Sequence, residues 1–311
     1  MNKNEFTILS SDRKTPLRVV TWEPSGEPSS VVQLVHGMAE HIDRYDGFAT
    51  YLAENGYAVI GNDILGHGQS VTREEDLGFF AQKSEQLAFI EDVHLVAEEA
   101  GKRFPGLPHF ILGHSMGSFM VRYYITKYAD GLAGAVLMGT GYIPAPLGLF
   151  GLNTARFLSK TRGDHYRSAF LNMLVFGSNN KKFKPNRTEY DWLSKDEAIV
   201  DRYVADPLCG FPFTTGAYRD FFTVLVSVAK KENFDRIPKD LPVLIISGEE
   251  DPVGGKAACP HVKEDLEGAG LTDVTLKLYP GDRHEILNEL DRETVYKDLY
   301  DWFEEKRQGK K

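Results

Sequence analysis

Six short apolar runs recur along the chain: VVQLVHG, YAVIGND, HFILGHS, AVLMGTG, PVLIISGEED and TLKLYPGDRH. Each is rich in Val, Ile and Leu over about five residues with little polar alternation, the pattern of strands buried on both faces of a parallel sheet. Parallel neighbours need crossover connections, and helical stripes fill most of the intervals. Residues 44–55 put Tyr45, Phe48, Tyr51 and Leu52 on one face, with Gly56 where a C-cap glycine is expected. Similar stripes run over 85–103, 119–128 and 293–307. The alternation predicts an α/β chain with a mostly parallel, doubly wound sheet and helices on both faces. Ahead of it, EFTILSSD and TPLRVVTWEP flank Asp12-Arg13-Lys14 and read as an edge hairpin.

The alternation lapses over 142–216, where pieces such as NTARFLSKTRGDHYRSAFLNMLVFG look helical and no buried strand is evident. This segment reads as an inserted cap at the top of the sheet, so the expected division is a core of 1–141 and 217–311 and a cap subdomain of 142–216. The insertion carries a formal charge of +3 against −12 for the rest.

With 311 residues, 42% of them hydrophobic and 26% charged, the chain suits one large core with an inserted subdomain. Its net charge of −9 supplies no basic field for a nucleic acid partner. Cys209 and Cys259 are too few to staple the chain and stand in no metal-ligand spacing; both read as reduced thiols of a cytoplasmic protein. The opening MNKNEFTILSSDRK lacks a signal-like apolar run, and the most apolar longer stretch, 134–152, is interrupted by Gly and Pro, so no transmembrane segment is expected. Without H-E-x-x-H, G-x-G-x-x-G or a Walker sequence, neither a metal nor a nucleotide cofactor is indicated.

Gly113-His114-Ser115-Met116-Gly117 places a G-x-S-x-G motif between a strand run and a helical stripe. Small residues on both sides let a strained turn lift a serine hydroxyl above the sheet. Such a serine needs a base, and the base needs an orienting carboxylate. Asp251 ends PVLIISGEED and His284 ends TLKLYPGDRH, which would bring both to the sheet edge that carries Ser115. Glu249 and Glu250 adjoin Asp251, and Glu250 is the runner-up acid. The oxyanion donors expected are the backbone N–H groups of Met116 and of Met38, the latter in the loop after VVQLVHG. His36 reads as a structural hydrogen-bonding residue. The loop from Asp63 to Ser70 reads as a tight turn supporting the oxyanion loop, with no catalytic role.

HGMAEHIDRY, DILGHGQS, GHSMG and GDRHEILNE together resemble the α/β-hydrolase superfamily, and within it the monoacylglycerol lipase and lysophospholipase branch, also called serine aminopeptidase-like hydrolases. The resemblance implies an eight-stranded sheet with a helical cap, and it supports Ser115, Asp251 and His284 as catalytic triad with Met38 and Met116 as oxyanion donors. Tyr203, within VDRYVADPLC, matches a tyrosine near the glycerol end of the family's pocket, and Glu40 and Arg44 match polar residues below the oxyanion loop; these three are the expected substrate-binding residues. Two departures stand out. Ser118 replaces a residue that is often Gly, and NKKFKPNRTEYDW has no clear counterpart.

The expected activity is hydrolysis of a carboxylic ester with a medium or long acyl chain, a monoacylglycerol or lysophospholipid, through an acyl-enzyme. Tyr142, Phe150, Phe157, Tyr166, Phe170, Phe176, Phe183, Phe211 and Phe213 suit an apolar acyl tunnel as a group, although each alone reads as packing between cap and body. Lys181-Lys182-Phe183-Lys184 offers transient contact with anionic lipid, with a solvated loop the preferred reading. Alternatives are a carboxylesterase for short acyl or aryl esters, an acyltransferase, or a non-catalytic scaffold.

Overall fold

A computed structural model describes residues 1–82 and 87–309. Each of the six apolar runs overlaps a strand: β3 (Val31–Val35), β4 (Ala58–Asn62), β5 (His109–His114), β6 (Leu132–Met138), β7 (Val243–Gly248) and β8 (Val274–Tyr279), with β6 beginning three residues and β8 one residue ahead of its run. The expected hairpin is β1 (Asn2–Leu9) and β2 (Pro16–Glu23). All eight form one sheet in the order β1-β2-β4-β3-β5-β6-β7-β8. Pairing is parallel from β4 to β8 and antiparallel where β2 meets β1 and β4.

The central strands β3, β4, β6 and β7 are buried at every residue, as runs without alternation require. β8 departs from that expectation. It pairs only with β7, and as an edge strand it exposes Thr275 and Lys277 while burying Val274 and Tyr279.

Because successive strand residues face opposite ways, each strand feeds two cores. Phe110 and Leu112 pack with α1 (Asp46–Glu54) and α10 (Arg292–Gln308), which supply Phe48, Leu52, Trp302 and Phe303. Ile111 faces the other way, toward Phe89 of α2 (Ala88–Arg103), Val121 of α3 (Met116–Tyr128) and Val262 of α9 (Gly255–Gly268). Burying one such side chain stabilises by roughly 1.5–3 kcal/mol, so these two layers hold the strand ends that carry the site. Gly56, at φ 87°, ends the α1 turn in the left-handed region as its C-cap place requires.

Between β6 and β7 lie α4 (Ala145–Arg162), α5 (Ala169–Phe176), α6 (Glu197–Ala205), α7 (Thr215–Val228) and the short α8 (Lys231–Phe234). Gly163, at φ 90°, separates α4 from α5, which Ser168 caps by accepting the Leu171 N–H. The only pairing inside 142–216 is a single bridge from Arg167 to Thr214. α7 packs on both α4 and α3, so one helix runs across the expected boundary at 216 and joins inserted segment to body. Residues 85 and 86 of the predicted 85–103 stripe and the last two of the terminal KRQGKK lie outside the described residues. No described helix is long and apolar enough to cross a membrane.

Candidate active site

β5 ends at His114 and α3 begins at Met116, which leaves Ser115 between them at φ 52°, ψ −119°. An L-residue rarely adopts that conformation, and it persists only where the surroundings enforce it. Here they do. A Cβ on Gly117 would lie 2.1 Å from the Val35 carbonyl oxygen, and one on Gly113 would lie 2.3 Å from that of Gly117. The Ser115 N–H donates to the Met138 carbonyl at 2.9 Å. Ser118 bonds back to the Ser115 carbonyl at 2.6 Å, so the departure from Gly at this position ties the turn down further.

The ends of β7 and β8 bring Asp251 and His284 together, with His284 Nδ1 2.9 Å from Asp251 Oδ1. Asp251 Oδ2 also accepts from the Ser247 hydroxyl at 2.7 Å, and Oδ1 accepts the Val253 N–H at 2.8 Å. Burial alone would raise the pKa of this carboxyl, but His284, Ser247 and Val253 together hold it below the usual range. Glu250, the runner-up, points elsewhere: its carboxylate is 3.0 Å from Lys182 and 3.5 Å from Lys256. His284 Nε2 is buried and has no hydrogen-bond partner among the described residues. That is the nitrogen a serine hydroxyl would use. Gly139 makes room for the ring, since a Cβ there would come within 3.1 Å of His284 Cε1.

Trp192 was not foreseen from the sequence. Its ring lies 4.9 Å from that of His284, and its carbonyl accepts the His284 N–H at 3.4 Å. The inserted segment therefore reaches the imidazole. The one signal was that 142–216 holds a single tryptophan.

Met116 opens α3, where the first N–H groups have no intrahelical acceptor and the helix dipole is positive. Met38 sits in a turn braced from several sides. The Gly37 N–H donates to Glu40 Oε1 at 2.6 Å, and the Ala39 N–H donates to His67 Nε2 at 3.2 Å. From the inserted segment, the Tyr203 hydroxyl and the Gly210 N–H both donate to the Ala39 carbonyl, at 3.0 and 2.9 Å. His36 Nε2 accepts the Ile64 N–H at 2.8 Å, and burial lowers the pKa of both His36 and His67, which keeps them neutral acceptors. Asp63 receives the N–H groups of Ile42 and Gln69 at 2.9 and 2.8 Å. The 63–70 loop thus supports the 36–42 turn, as expected.

Beneath this turn lies a buried ionic cluster. Arg44 meets Glu40 at 2.6 Å and grips both carboxylate oxygens of Glu285 at 2.6 Å. Glu40 also accepts from the Tyr45 hydroxyl at 2.8 Å and lies 3.2 Å from His114 Nδ1. The Tyr203 ring covers the Arg44 guanidinium at 4.8 Å. Burial would raise the Glu40 pKa, yet Arg44 and His114 hold it well below the usual value. The cluster touches the Met38 turn, the residue before Ser115 and the residue after His284. Glu40 and Arg44, expected at the substrate, are placed under the loop with their charges engaged by protein, because a buried carboxylate and guanidinium require such partners. Glu285 completes the cluster and was not singled out in the sequence.

Ser115 opens on an apolar cavity of about 120 Å³ walled by Met38, Phe119, Leu174, Phe176, Trp192, Phe221 and Phe222 among others. A second chamber of about 650 Å³ shares Phe176 and Trp192 with it and is lined by Asn172, Asn180, Thr188, Glu189, Tyr190 and Tyr203. Tyr203 therefore belongs to this more polar chamber. Of the nine aromatics read as a tunnel, Phe176 lines the cavity beside Ser115 and Phe211 lines the second chamber. Phe213 is core, Phe183 is half-buried under the Arg283 guanidinium at 4.4 Å, and Tyr142, Phe150, Phe157, Tyr166 and Phe170 are exposed. The remaining aromatic walls come from α3, as Phe119, and from α7, as Phe221 and Phe222, a helix not singled out in the sequence. Lys182, in the basic run, is paired with Glu250. Among the described residues, one group has metal-ligand chemistry: His41, Asp206 and Cys209.

An eight-stranded, mostly parallel sheet with a strained serine between β5 and α3 and an Asp–His pair after β7 and β8 defines the α/β-hydrolase class. Residues 26–291 match the serine aminopeptidase S33 family, and the chain belongs to that family. It is 27% identical over 285 residues to a monoacylglycerol lipase of Mycolicibacterium smegmatis, with 90% of each chain covered. An uncharacterized abhydrolase domain-containing protein of Dictyostelium discoideum is 25% identical over 314 residues, and there the chain spans 30% of the relative's length. Among solved structures, a highly thermostable carboxyl esterase from Bacillus coagulans in complex with glycerol superposes with a TM-score of 0.92 at 27% identity, covering 99% of both chains.

Proposed function

We propose that the chain is a serine hydrolase of medium- or long-chain acyl esters, with a monoacylglycerol as the leading substrate and a lysophospholipid next. The observation that carries this reading is the buried, unpartnered Nε2 of His284, whose other nitrogen is held by Asp251, near the apolar cavity that includes Ser115. In this reading His284 takes the Ser115 proton as the oxygen attacks the ester carbonyl, and the N–H groups of Met38 and Met116 stabilise the oxyanion. His284 then protonates the departing alcohol. Water, activated by the same nitrogen, releases the acid and restores Ser115. Asp251 stays ionised throughout and keeps the Nδ1–H tautomer.

Residues 142–216 act as the cap: the apolar cavity takes the acyl chain and the polar chamber behind Trp192 takes the alcohol. The similarity to a monoacylglycerol lipase supports the substrate class. Two free cysteines support a cytoplasmic setting.

The cavity's 120 Å³ and the similarity to a carboxyl esterase favour a second reading, cleavage of short acyl esters. Rates on an ester series from acetyl to palmitoyl separate the two. Rising kcat/KM with chain length supports the lipase; a fall beyond butyryl supports the esterase. Leu174→Trp, filling the cavity wall, is expected to cut kcat/KM for the long esters by roughly 10-fold or more while sparing acetyl, since each lost methylene contact costs about 1 kcal/mol. Equal losses along the series would remove the cavity as the acyl site.

We also place a lipid-surface contact on α4 and α5, which expose Leu147, Leu149, Phe150, Phe157, Phe170 and Met173, with Phe157 65% exposed. This apolar patch is a candidate surface beside the 181–184 basic run. A Phe150→Glu/Phe157→Glu variant is expected to lose cosedimentation with neutral phosphatidylcholine vesicles while keeping its rate on a soluble ester. Unchanged cosedimentation would exclude this surface.

A further inference from the structure

His41, Asp206 and Cys209 turn three ligand-type atoms toward one another, all within 4.8 Å. His41 follows the turn that carries Met38; Asp206 and Cys209 follow α6 on the inserted segment. His41 Nε2 stands 2.9 Å from Asp206 Oδ2. On the other side of the ring, Asp43 Oδ2 lies 3.8 Å from Nδ1. That separation is longer than a hydrogen bond, and the same oxygen accepts from Arg18 at 2.7 Å. His41 is buried and the other two are half-buried, yet His41 and Asp206 also line a cleft of about 380 Å³ that opens to solvent. The cleft supplies an entry path and room for a coordinated water. Nothing in the ester chemistry uses any of the three groups.

We propose that His41, Asp206 and Cys209 form a site for a divalent cation of the zinc type, bound through imidazole nitrogen, carboxylate oxygen and thiolate sulfur, with water as fourth ligand. Magnesium and calcium select oxygen ligands, whereas zinc accepts all three donor types in a tetrahedral arrangement. Coordination uses the thiolate and the neutral imidazole, so the protons they carry leave as the cation enters. Three arginines line the same cleft, Arg44, Arg202 and Arg292; of these Arg44 is neutralised in its own pairs with Glu40 and Glu285, and Arg292 lies 3.8 Å from Asp196.

The position gives the site a consequence. Gly210, next to Cys209, and Tyr203 on α6 both donate to the carbonyl of Ala39, two residues before His41. A cation shared by His41 and Cys209 ties the inserted segment to the Met38 turn through a second, stronger link. Bound metal therefore steadies the cap against the body. Binding itself is independent of the proposed ester chemistry, so it stands or falls without an activity assay.

The test uses the untagged full chain, stripped with a chelator and titrated with Co²⁺ and then Zn²⁺. The expected result is one equivalent per chain and a thiolate-to-cobalt charge-transfer band that Zn²⁺ abolishes. Cys209→Ser is expected to lose the band, whereas Cys259→Ser, altering the cysteine outside the cluster, keeps it. Zn²⁺ is expected to raise the Tm of wild type and of Cys259→Ser but not of Cys209→Ser or His41→Asn. Circular dichroism of each metal-free variant establishes that it folds. No charge-transfer band in wild type, or zinc binding equally tight in folded Cys209→Ser, would overturn the site.

Discussion

Ser115→Ala is expected to lower kcat for ester hydrolysis by roughly 10⁴-fold or more, with the fold unchanged. In the proposed mechanism the serine oxygen is the one atom whose loss removes the covalent route, while the neighbouring N–H groups and the cavity remain. The backbone at this position is enforced by Gly113, Gly117 and the bond from Ser115 N–H to the Met138 carbonyl, none of which involves the hydroxyl. Alanine therefore inherits the same turn. Steady-state kinetics on a soluble ester, paired with thermal unfolding, read both halves of this expectation. A variant that keeps a tenth of the wild-type rate with an unchanged Tm would assign the chemistry to another residue.

Arg44→Met carries the largest expected effect on stability. Removing the guanidinium leaves Glu40 and Glu285 as buried carboxylates without their counter-ion, and breaking such a pair costs about 3–5 kcal/mol. Methionine retains much of the side-chain volume, so the loss reports charge rather than a cavity. The pH dependence has a definite sign. Arg44 and His114 hold Glu40 ionised well below its usual range, against the opposing effect of burial. Its contribution is thus complete above the ordinary glutamate pKa and is lost only as pH falls through the depressed value. In the variant burial acts on Glu40 without the Arg44 charge and favours its neutral form, so denaturant midpoints across pH 4–8 are expected to show a large deficit for Arg44→Met near neutrality that narrows toward the acid end as the unpaired carboxyl takes up its proton. Arg44→Lys, with the charge but without the two-pronged grip on Glu285, falls between. Stability within 1 kcal/mol of wild type for Arg44→Met would mean that the cluster does not hold the Met38 turn.

These two residues also mark where the sequence was legible and where it was not. The strained turn at Ser115 was legible because its constraint is local: a strand run, glycines two residues either side and a helical stripe need no knowledge of the rest of the chain. The buried strands were equally plain, since a run such as VLIIS has no solvated face to alternate with. β8 was read less well because edge position depends on which strands pair, not on composition. Among the adjacent carboxylates, Glu249, Glu250 and Asp251 were indistinguishable in kind; the turn after β7 sends Asp251 to His284 and Glu250 to Lys182. The roles of Arg44 and Glu285 were out of reach for a different reason. They are 241 residues apart, and their pairing exists only once α1 and the end of β8 share one side of the sheet. Trp192 and the α7 phenylalanines were hidden likewise, because a wall of a cavity and a packed core share one periodicity.

The most direct measurement is the site of covalent labelling by a fluorophosphonate, located by peptide mass spectrometry in the wild-type chain. A serine activated by the His284–Asp251 pair is expected to take one phosphonyl group on Ser115, with labelling lost in Ser115→Ala and strongly slowed in His284→Gln. No adduct in the folded wild-type chain, or an adduct on a different serine, would contradict the proposed nucleophile.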